Sequence, residues 1–285
     1  MKTRTIGWLA VISLVVILLL LGMTGLFKPG AKGRGFTSVK ELEGSVMAGI
    51  TSSHLSGESA EVLFETILGT KLSGYREAES VPALLYELRS GRADVICCPD
   101  VVAEYLLRTE EDLVRLDAPE DTSGGVEGGG RLSFALALPK GEEVLQEELN
   151  GALDKLDASG MLEALAVAYA ETEEPLELYE TKESTGGKTL YVGVTGTIPP
   201  LDRFDENGIP CGYSVALLQE LQKHTGYRFE TVPIAARDAF TVLNSGKVDL
   251  LFAYGTSRNT TPGEKDYLVT RGYYTMKEYA YLTLK

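Results

Sequence analysis

The chain has 285 residues, of which 44% are apolar, and a formal net charge of −14 from 27 basic and 41 acidic residues. This length exceeds that of one typical domain, and the apolar content supports a substantial core. Because nucleic acids and anionic membrane surfaces are both polyanions, the acidic balance argues against binding to either.

The first 28 residues have the pattern of a membrane-spanning segment. A short basic start that contains Lys2 and Arg4 is followed by residues 5–27, which carry no charge and are mostly aliphatic. As a helix with a rise of ~1.5 Å per residue, this stretch reaches roughly 35 Å and can cross a bilayer. A cleaved signal peptide has a shorter apolar core of about 7–15 residues. We therefore favour an uncleaved anchor over a cleaved signal for residues 1–28, with the basic flank in the cytoplasm and the remainder outside the cell.

The cysteines and histidines do not indicate a disulfide framework or a metal site. Cys97 and Cys98 lie in a predicted strand, where neighbouring side chains point to opposite faces, and Cys211 is far away in the sequence. His54 and His224 each stand alone. The sequence thus predicts no metal and no cofactor.

The first half after the anchor alternates between strands and helices. Thr37 can cap a first turn through Glu41. Residues 121–130 form a Gly-rich loop, and residues 171–188 change from acidic to Ser/Thr/Gly-rich, as a linker does. The hydrophobic pattern predicts strands over 44–51, 94–98 and 132–138, and helices over 59–68, 81–88, 101–107, 143–156 and 161–169.

The second half continues the same alternation. Its predicted strands cover 190–194, 227–232, 249–254 and 278–284, and its predicted helices cover 213–224 and 238–243. Strands that alternate with helices in both halves predict α/β sheets covered by helices.

One nine-residue unit occurs in both halves. Leu88–Ile96 and Leu243–Leu251 both read Leu-x-Ser-Gly-basic-x-Asp-aliphatic-aliphatic. Each copy predicts a helix, a glycine that caps its carboxyl end and a buried strand. The repeat indicates two similarly built halves, in which Asp94 and Asp249 fix the turn rather than contact a ligand.

The serial order of short motifs resembles the extracytoplasmic solute-binding proteins of the amino-acid type, family 3. The second half resembles lobe 1 of that family through Val192–Val194, Ile198–Pro200, Asp205–Gly208, Gly212–Leu217 and Gly272–Tyr274. The first half resembles lobe 2 and the return segment through Ser38–Gly44, Leu88–Ile96, Ala137–Gly141 and Leu149–Gly160. The resemblance implies a two-lobed, type II periplasmic-binding-protein-like α/β fold that closes on a small ligand.

The order of the two lobes is the reverse of the order in that family. We expect a lobe 2-like half with the return segment over residues 37–175, a linker over 176–188 and a lobe 1-like half over 189–285. A circular permutant that folds as one two-lobed protein explains this order, since each piece of the fold is present once. Two halves that need other partners, or one part of a longer tandem sensor, remain alternatives.

The resemblance also implies where a ligand binds, at loops beyond the carboxyl ends of strands. The family grips a carboxylate through Thr-x-x-Arg, but this chain lacks the arginine at that spacing, where Arg258 or Lys265 could substitute. Thr51–Ser53 could equally cap a helix. The predicted ligand-binding residues are Thr51, Ser52, Ser53, Asp100, Asp202, Tyr254, Thr256, Ser257 and Arg258.

The sequence therefore predicts a membrane-tethered binding protein, not an enzyme. It would bind a small polar solute such as an amino acid outside the cell and act on an ABC transporter permease or a signalling protein. A degenerate interaction module that binds no ligand is the main alternative, which the missing arginine supports. A dehydratase or a peptidoglycan-cleaving enzyme on the same scaffold is a further alternative, although no nucleophile–base arrangement is evident.

Overall fold

The computed structural model describes residues 34–50, 65, 66, 68–118, 133–171, 187–256 and 267–285. The predicted anchor over residues 1–28 and the loop over 121–130 lie outside these residues, as do nearly all of the 59–68 helix and of the 171–188 linker. Within the described ranges, no helix has both the length and the hydropathy needed to cross a membrane.

Five of the described strands form the first sheet. Parallel strands β1 (Val46–Ile50), β2 (Gly74–Ala78) and β3 (Val95–Pro99) form one side, with β1 in the middle of the three. Strand β13 (Tyr279–Leu284) lies antiparallel between β3 and β4 (Leu113–Arg115). We call the residues around this sheet the first lobe.

The second sheet contains strands β5 (Ser133–Pro139), β6 (Thr189–Val194), β9 (Arg228–Pro233), β10 (Leu250–Thr256) and β11 (Tyr267–Val269). Its order is β11-β5-β10-β6-β9, in which β10, β6 and β9 are parallel and β5 is antiparallel. The short strand β12 (Tyr274–Thr275) also pairs with β5, and β7 (Arg203–Phe204) pairs with β8 (Pro210–Cys211) in a separate hairpin. We call the residues around these strands the second lobe.

The two halves of the chain exchange one strand. Strand β13 comes from the second half but is hydrogen-bonded inside the first sheet, while β5 comes from the first half and lies inside the second sheet. Each sheet thus needs both halves of the chain for completion, and the structure is an α/β fold with two interlocked lobes.

Helices cover both sheets and enclose a shared core. The first lobe carries α1 (Val81–Arg89) and α2 (Asp100–Thr109), and the second carries α3 (Glu143–Ala158), α4 (Met161–Leu165), α5 (Tyr213–Thr225) and α6 (Ala239–Asn244). The predicted 161–169 helix is α-helical only to Leu165 and continues as a π-helical turn over Ala166–Glu171. The main apolar cluster includes buried residues of both lobes, and each sheet has a smaller cluster that belongs to its own lobe.

The neighbouring cysteines illustrate how β3 is buried on both faces. Cys97 packs in the smaller cluster of the first lobe and Cys98 in the main cluster, so the two side chains point to opposite faces as predicted. Both thiols are buried, and none of Cys97, Cys98 and Cys211 forms a disulfide within the part of the chain that the structure describes. Burial raises the pKa of the Cys98 thiol to about 12.

The two copies of the repeat have the same local structure. Helices α1 and α6 end just before Gly91 and Gly246, whose φ is +71° in both copies, a conformation that glycine adopts easily. Asp94 donates its N–H to the carbonyl of Val46 (2.8 Å) and accepts the Val46 N–H on Oδ2 (2.9 Å). Asp249 makes the same pair of bonds with Tyr191, at 2.8 and 2.7 Å. Each aspartate therefore clamps the start of the repeat strand to its parallel neighbour.

Several edge elements were not predicted from the sequence. Strand β2 reads Gly-Tyr-Arg-Glu-Ala and, among the described strands, pairs only with β1. Most of its side chains are therefore not fully buried and show no apolar alternation. Strands β4 and β11 have only three residues each. At the first predicted turn, the Thr37 hydroxyl and N–H both bond to the Glu41 carboxylate, while Ser38 is the cap of the short 3₁₀ helix Val39–Glu41.

Candidate functional site

A cavity of about 470 Å³ lies between the two lobes, at the carboxyl ends of β6 and β10. The second lobe contributes Thr195 and Thr197 after β6, the end of β10, Arg237 just before α6 and Phe240 in its first turn. The first lobe contributes Glu77 and Glu79, at the end of the edge strand β2. This position is where open α/β sheets generally bind ligands, because the loops that follow parallel strands meet there.

A β-bulge shapes the wall that β10 contributes to this cavity. The register of β10 against β5 shifts between Leu251 and Tyr254, and Ala253 has a φ of +55°, in the left-handed region. The N–H of Ala253 donates to the hydroxyl of Tyr273 (3.0 Å), which is 3% exposed. The Tyr273 ring lies 5.0 Å from that of Phe252 and stacks on it. The buried Tyr273 thus stabilises the irregular end of β10 through this hydrogen bond and ring contact.

Tyr254, one of the predicted ligand-binding residues, lines the cavity. Its ring meets that of Phe240 edge to face, with the ring centroids 5.8 Å apart. The two rings form an apolar wall beside the threonine hydroxyls, a combination typical of sites that orient a small ligand through a few polar groups.

Asp202 lies underneath the loop that follows β6 and is fully buried. Its Oδ2 accepts the Thr195 hydroxyl (2.7 Å) and the Thr195 N–H (3.1 Å), and the Thr195 hydroxyl lies 2.9 Å from that of Thr197. Burial raises the pKa of Asp202, although N–H groups of the loop oppose this effect. Asp202 therefore positions two threonines that line the cavity, and its burial argues against direct contact with a ligand.

Asp100 is placed elsewhere, where the chain crosses between the lobes. It is 8% exposed, donates its N–H to the carbonyl of Glu278 (3.0 Å) and accepts the Lys277 N–H (3.1 Å). Burial raises the pKa of its carboxyl group. Asp100 lines a separate cavity of about 320 Å³ together with Arg115 and Glu104. The structure thus connects Asp100 to the interlobe crossing and does not bring it together with Tyr254.

The remaining predicted residues cannot be placed in the site. Thr51, Ser52, Ser53, Ser257 and Arg258 lie outside the described residues, and Thr256 is described only as the last backbone position of β10. Sequence reasoning missed Glu77, Glu79, Arg237 and Phe240. Glu77 lies in an unpredicted edge strand and Glu79 follows it, while Arg237 precedes a predicted helix, so none of these positions carried a signal for ligand contact.

The charges of the 470 Å³ cavity are divided between the lobes. Arg237 of the second lobe supplies a guanidinium, which can hold a carboxylate through two parallel hydrogen bonds. Glu77 and Glu79 of the first lobe supply carboxylates that attract an ammonium or guanidinium group. The arrangement suits a small molecule that carries both signs of charge. Among the residues whose positions are described, no group of three His, Cys, Asp or Glu side chains could hold a metal ion.

Two α/β lobes with a polar cavity between them form a two-lobed, periplasmic-binding-protein-like fold, an architecture that can close on a ligand about a hinge. Residues 190–283 match the profile of the bacterial extracellular solute-binding proteins, family 3. The predicted resemblance to this family is thereby confirmed, and the matched segment runs from β6 to the end of β13. No protein of curated function matches the chain in sequence.

Solved structures with a similar fold are distant in sequence. The ligand-binding component of an ABC-type import system from Staphylococcus aureus, solved with zinc bound, has 14% identity and a TM-score of 0.44 over 85% of this chain and 66% of its own. The periplasmic aliphatic sulphonate-binding protein SsuA from Escherichia coli has 12% identity and a TM-score of 0.39, over 85% and 61%. An ancestral arginine-binding protein bound to arginine has 13% identity and a TM-score of 0.41, over 86% of both chains. The chain therefore spans less than two thirds of the length of the first two.

Proposed function

We propose that this chain is a membrane-tethered, extracytoplasmic solute-binding protein that closes its two lobes on a small polar metabolite such as an amino acid. The observation that carries the proposal is the 470 Å³ cavity, to which each lobe contributes a different kind of charge. A ligand that carries both signs of charge stabilises the closed arrangement of the lobes, because it contacts both walls of the cavity only when the lobes approach.

The side chains that line the cavity favour a zwitterionic ligand. Its volume falls within the range of about 300–1,000 Å³ that small-molecule sites occupy. Arg237 suits the carboxylate of an amino acid, and Glu79 suits an ammonium group from the opposite wall. Thr195 and Thr197 add hydroxyls on the floor, where Asp202 holds the first of them in place.

The exchange of strands between the halves supports the permuted order of lobes. In this interpretation residues 37–175 form the lobe 2-like half with its return segment, 176–188 the linker and 189–285 the lobe 1-like half. Because β5 and β13 each complete the sheet of the other half, the pieces assemble into one two-lobed unit. The predicted anchor at residues 1–28 would tether this unit beside a transporter permease or a signalling protein.

Thermal unfolding of residues 34–285 against a panel of acidic, neutral and basic amino acids tests the proposal. A ligand at 100 times its Kd adds about 2.7 kcal/mol to the free energy of unfolding and raises the Tm by roughly 5 °C or more. Arg237→Gln and Glu79→Gln should each abolish the shift. Arg228→Gln, an exposed arginine on β9 that pairs with Glu230, is the matched control and should preserve it.

The outcomes separate the alternatives. A panel without any shift would contradict the proposal and favour a degenerate module that binds no solute. A shift that persists in both cavity variants would place the ligand elsewhere. Turnover of a bound compound would instead favour an enzyme on this scaffold.

A further inference from the structure

A second cavity, of about 580 Å³, lies between the lobes on the other side of the loop that follows β6. Its lining and that of the 470 Å³ cavity have no residue in common. Helices α1 and α2 of the first lobe supply apolar and aromatic side chains, including Leu85, Tyr86 and Tyr105. The second lobe supplies Pro199 from the loop, and Arg203 and Phe204 from β7. Both lobes therefore build this cavity.

Arg203 is the distinctive polar group of the second cavity. Its guanidinium has no ion pair or hydrogen bond within the described parts of the chain, although the protein carries a net charge of −14. The other arginine in the lining, Arg89, is fully engaged, since Glu110 lies 2.6 Å and Asp112 2.7 Å from its Nη2. A partly buried guanidinium beside apolar walls favours an anion as partner, because burial weakens its hydration.

Two glycines make room for the side chains of β7. Gly212 has a φ of +77°, and a Cβ there would lie 3.1 Å from Nε of Arg203. Gly196 has a φ of +68°, and a Cβ there would lie 2.7 Å from the Phe204 ring. Both positions need glycine for their backbone conformation and for the space beside them. The backbone at these two glycines therefore approaches the guanidinium of Arg203 and the ring of Phe204 closely.

We propose that the 580 Å³ cavity is a second binding site, for a small organic monocarboxylate with an aromatic or aliphatic body. Arg203 pairs with the carboxylate, and the body packs against Phe204, Leu85 and the tyrosines of α1 and α2. A molecule held there contacts both lobes, so its binding is linked to their closure and to the occupancy of the 470 Å³ cavity. The proposal for this second site does not rest on the ligand proposed for the first.

The test uses the full-length chain in lipid nanodiscs and three probes: phenylacetate, hexanoate and the neutral phenylacetamide. Isothermal titration calorimetry should detect binding of at least one carboxylate, and phenylacetate should bind about tenfold more tightly than its amide, because only the carboxylate forms charge-assisted bonds to the guanidinium. Arg203→Gln should remove this preference and leave the weak binding of the amide unchanged. Arg237→Gln, in the other cavity, should preserve it.

Three results would overturn the second site. The first is that neither carboxylate binds at concentrations up to about 10 mM. The second is that phenylacetate binds the Arg203→Gln variant as well as it binds the unchanged protein. The third is that only Arg237→Gln weakens the binding of phenylacetate. Because Arg203 is partly exposed, the variant should keep the original Tm, and a thermal scan of each variant separates lost binding from lost folding.

Discussion

The two repeat aspartates offer a direct test of how the lobes depend on each other. Asp94→Ala removes the acceptor of the Val46 N–H in the first sheet, and Asp249→Ala removes the acceptor of the Tyr191 N–H in the second. The backbone bonds from Asp94 and Asp249 to the same two neighbours remain. The substitutions thus delete one equivalent hydrogen bond from each lobe.

The expected loss follows from the geometry of these bonds. A hydrogen bond to a charged group contributes about 1.5–3 kcal/mol, and both carboxylates are partly exposed, which favours the lower end. The ion pair of Asp94 with Arg34 adds little, because the arginine side chain is 58% exposed. We expect each alanine variant to lose about 1.5 kcal/mol of unfolding free energy. Asp94→Asn keeps an acceptor and should lose less.

Urea unfolding of residues 34–285, followed by far-ultraviolet circular dichroism, measures these losses. Because β5 and β13 each complete the other sheet, we expect one transition that either substitution moves to lower urea without a change in slope. Two transitions, each moved by only one of the substitutions, would refute the interlocked unit. An alanine variant as stable as Asp94→Asn would refute the role given to the carboxylate.

Two further changes examine the support of the first cavity. Tyr273→Phe leaves the buried N–H of Ala253 without its acceptor and should lower the free energy of unfolding, measured in urea, by about 1–3 kcal/mol. Tyr213→Phe breaks a longer bond (3.3 Å) to a carbonyl and should cost less. Equal losses in the two variants would contradict this account. Burial raises the pKa of Asp202, so the native state holds its proton to higher pH than the unfolded chain does. The stability of the unchanged protein relative to Asp202→Asn should therefore fall as the pH rises from about 3.9 through the raised pKa, and a relative stability that rises over this window would contradict the assignment.

Much of the secondary structure could be predicted because the buried strands and helices carry strong apolar patterns. Strand β3 is predicted at 94–98 and observed at Val95–Pro99, and α5 is predicted at 213–224 and observed at Tyr213–Thr225. The repeat also predicted a helix, a turn and a strand in each half correctly. Local sequence suffices there because the helix ends at a glycine and the following strand is apolar on both faces.

Edge strands and partners across the sheet could not be predicted in the same way. Strand β2 lies at the edge of its sheet, and the consecutive residues Arg76 and Glu77 are exposed on opposite faces, so no periodic signal distinguishes it from a loop. The 278–284 strand was predicted as an element, but its place between β3 and β4 depends on pairing with residues more than 160 positions away. Such pairing is a property of the assembled sheet and leaves no local pattern.

The aspartates show most clearly why the candidate site needed the structure. Asp100 and Asp202 both follow secondary-structure signals that place them near strand ends, and both were predicted to contact a ligand. Each carboxylate is instead buried against backbone N–H groups, Asp100 at the crossing between the lobes and Asp202 under the loop that carries Thr195. Strand ends gather polar residues both to bind ligands and to satisfy the backbone of irregular loops, and only burial and hydrogen-bond partners distinguish the two uses. By that criterion the charged side chains that line the cavity between the lobes, among the residues the structure describes, are Glu77, Glu79 and Arg237, and the charge of the ligand should be complementary to theirs.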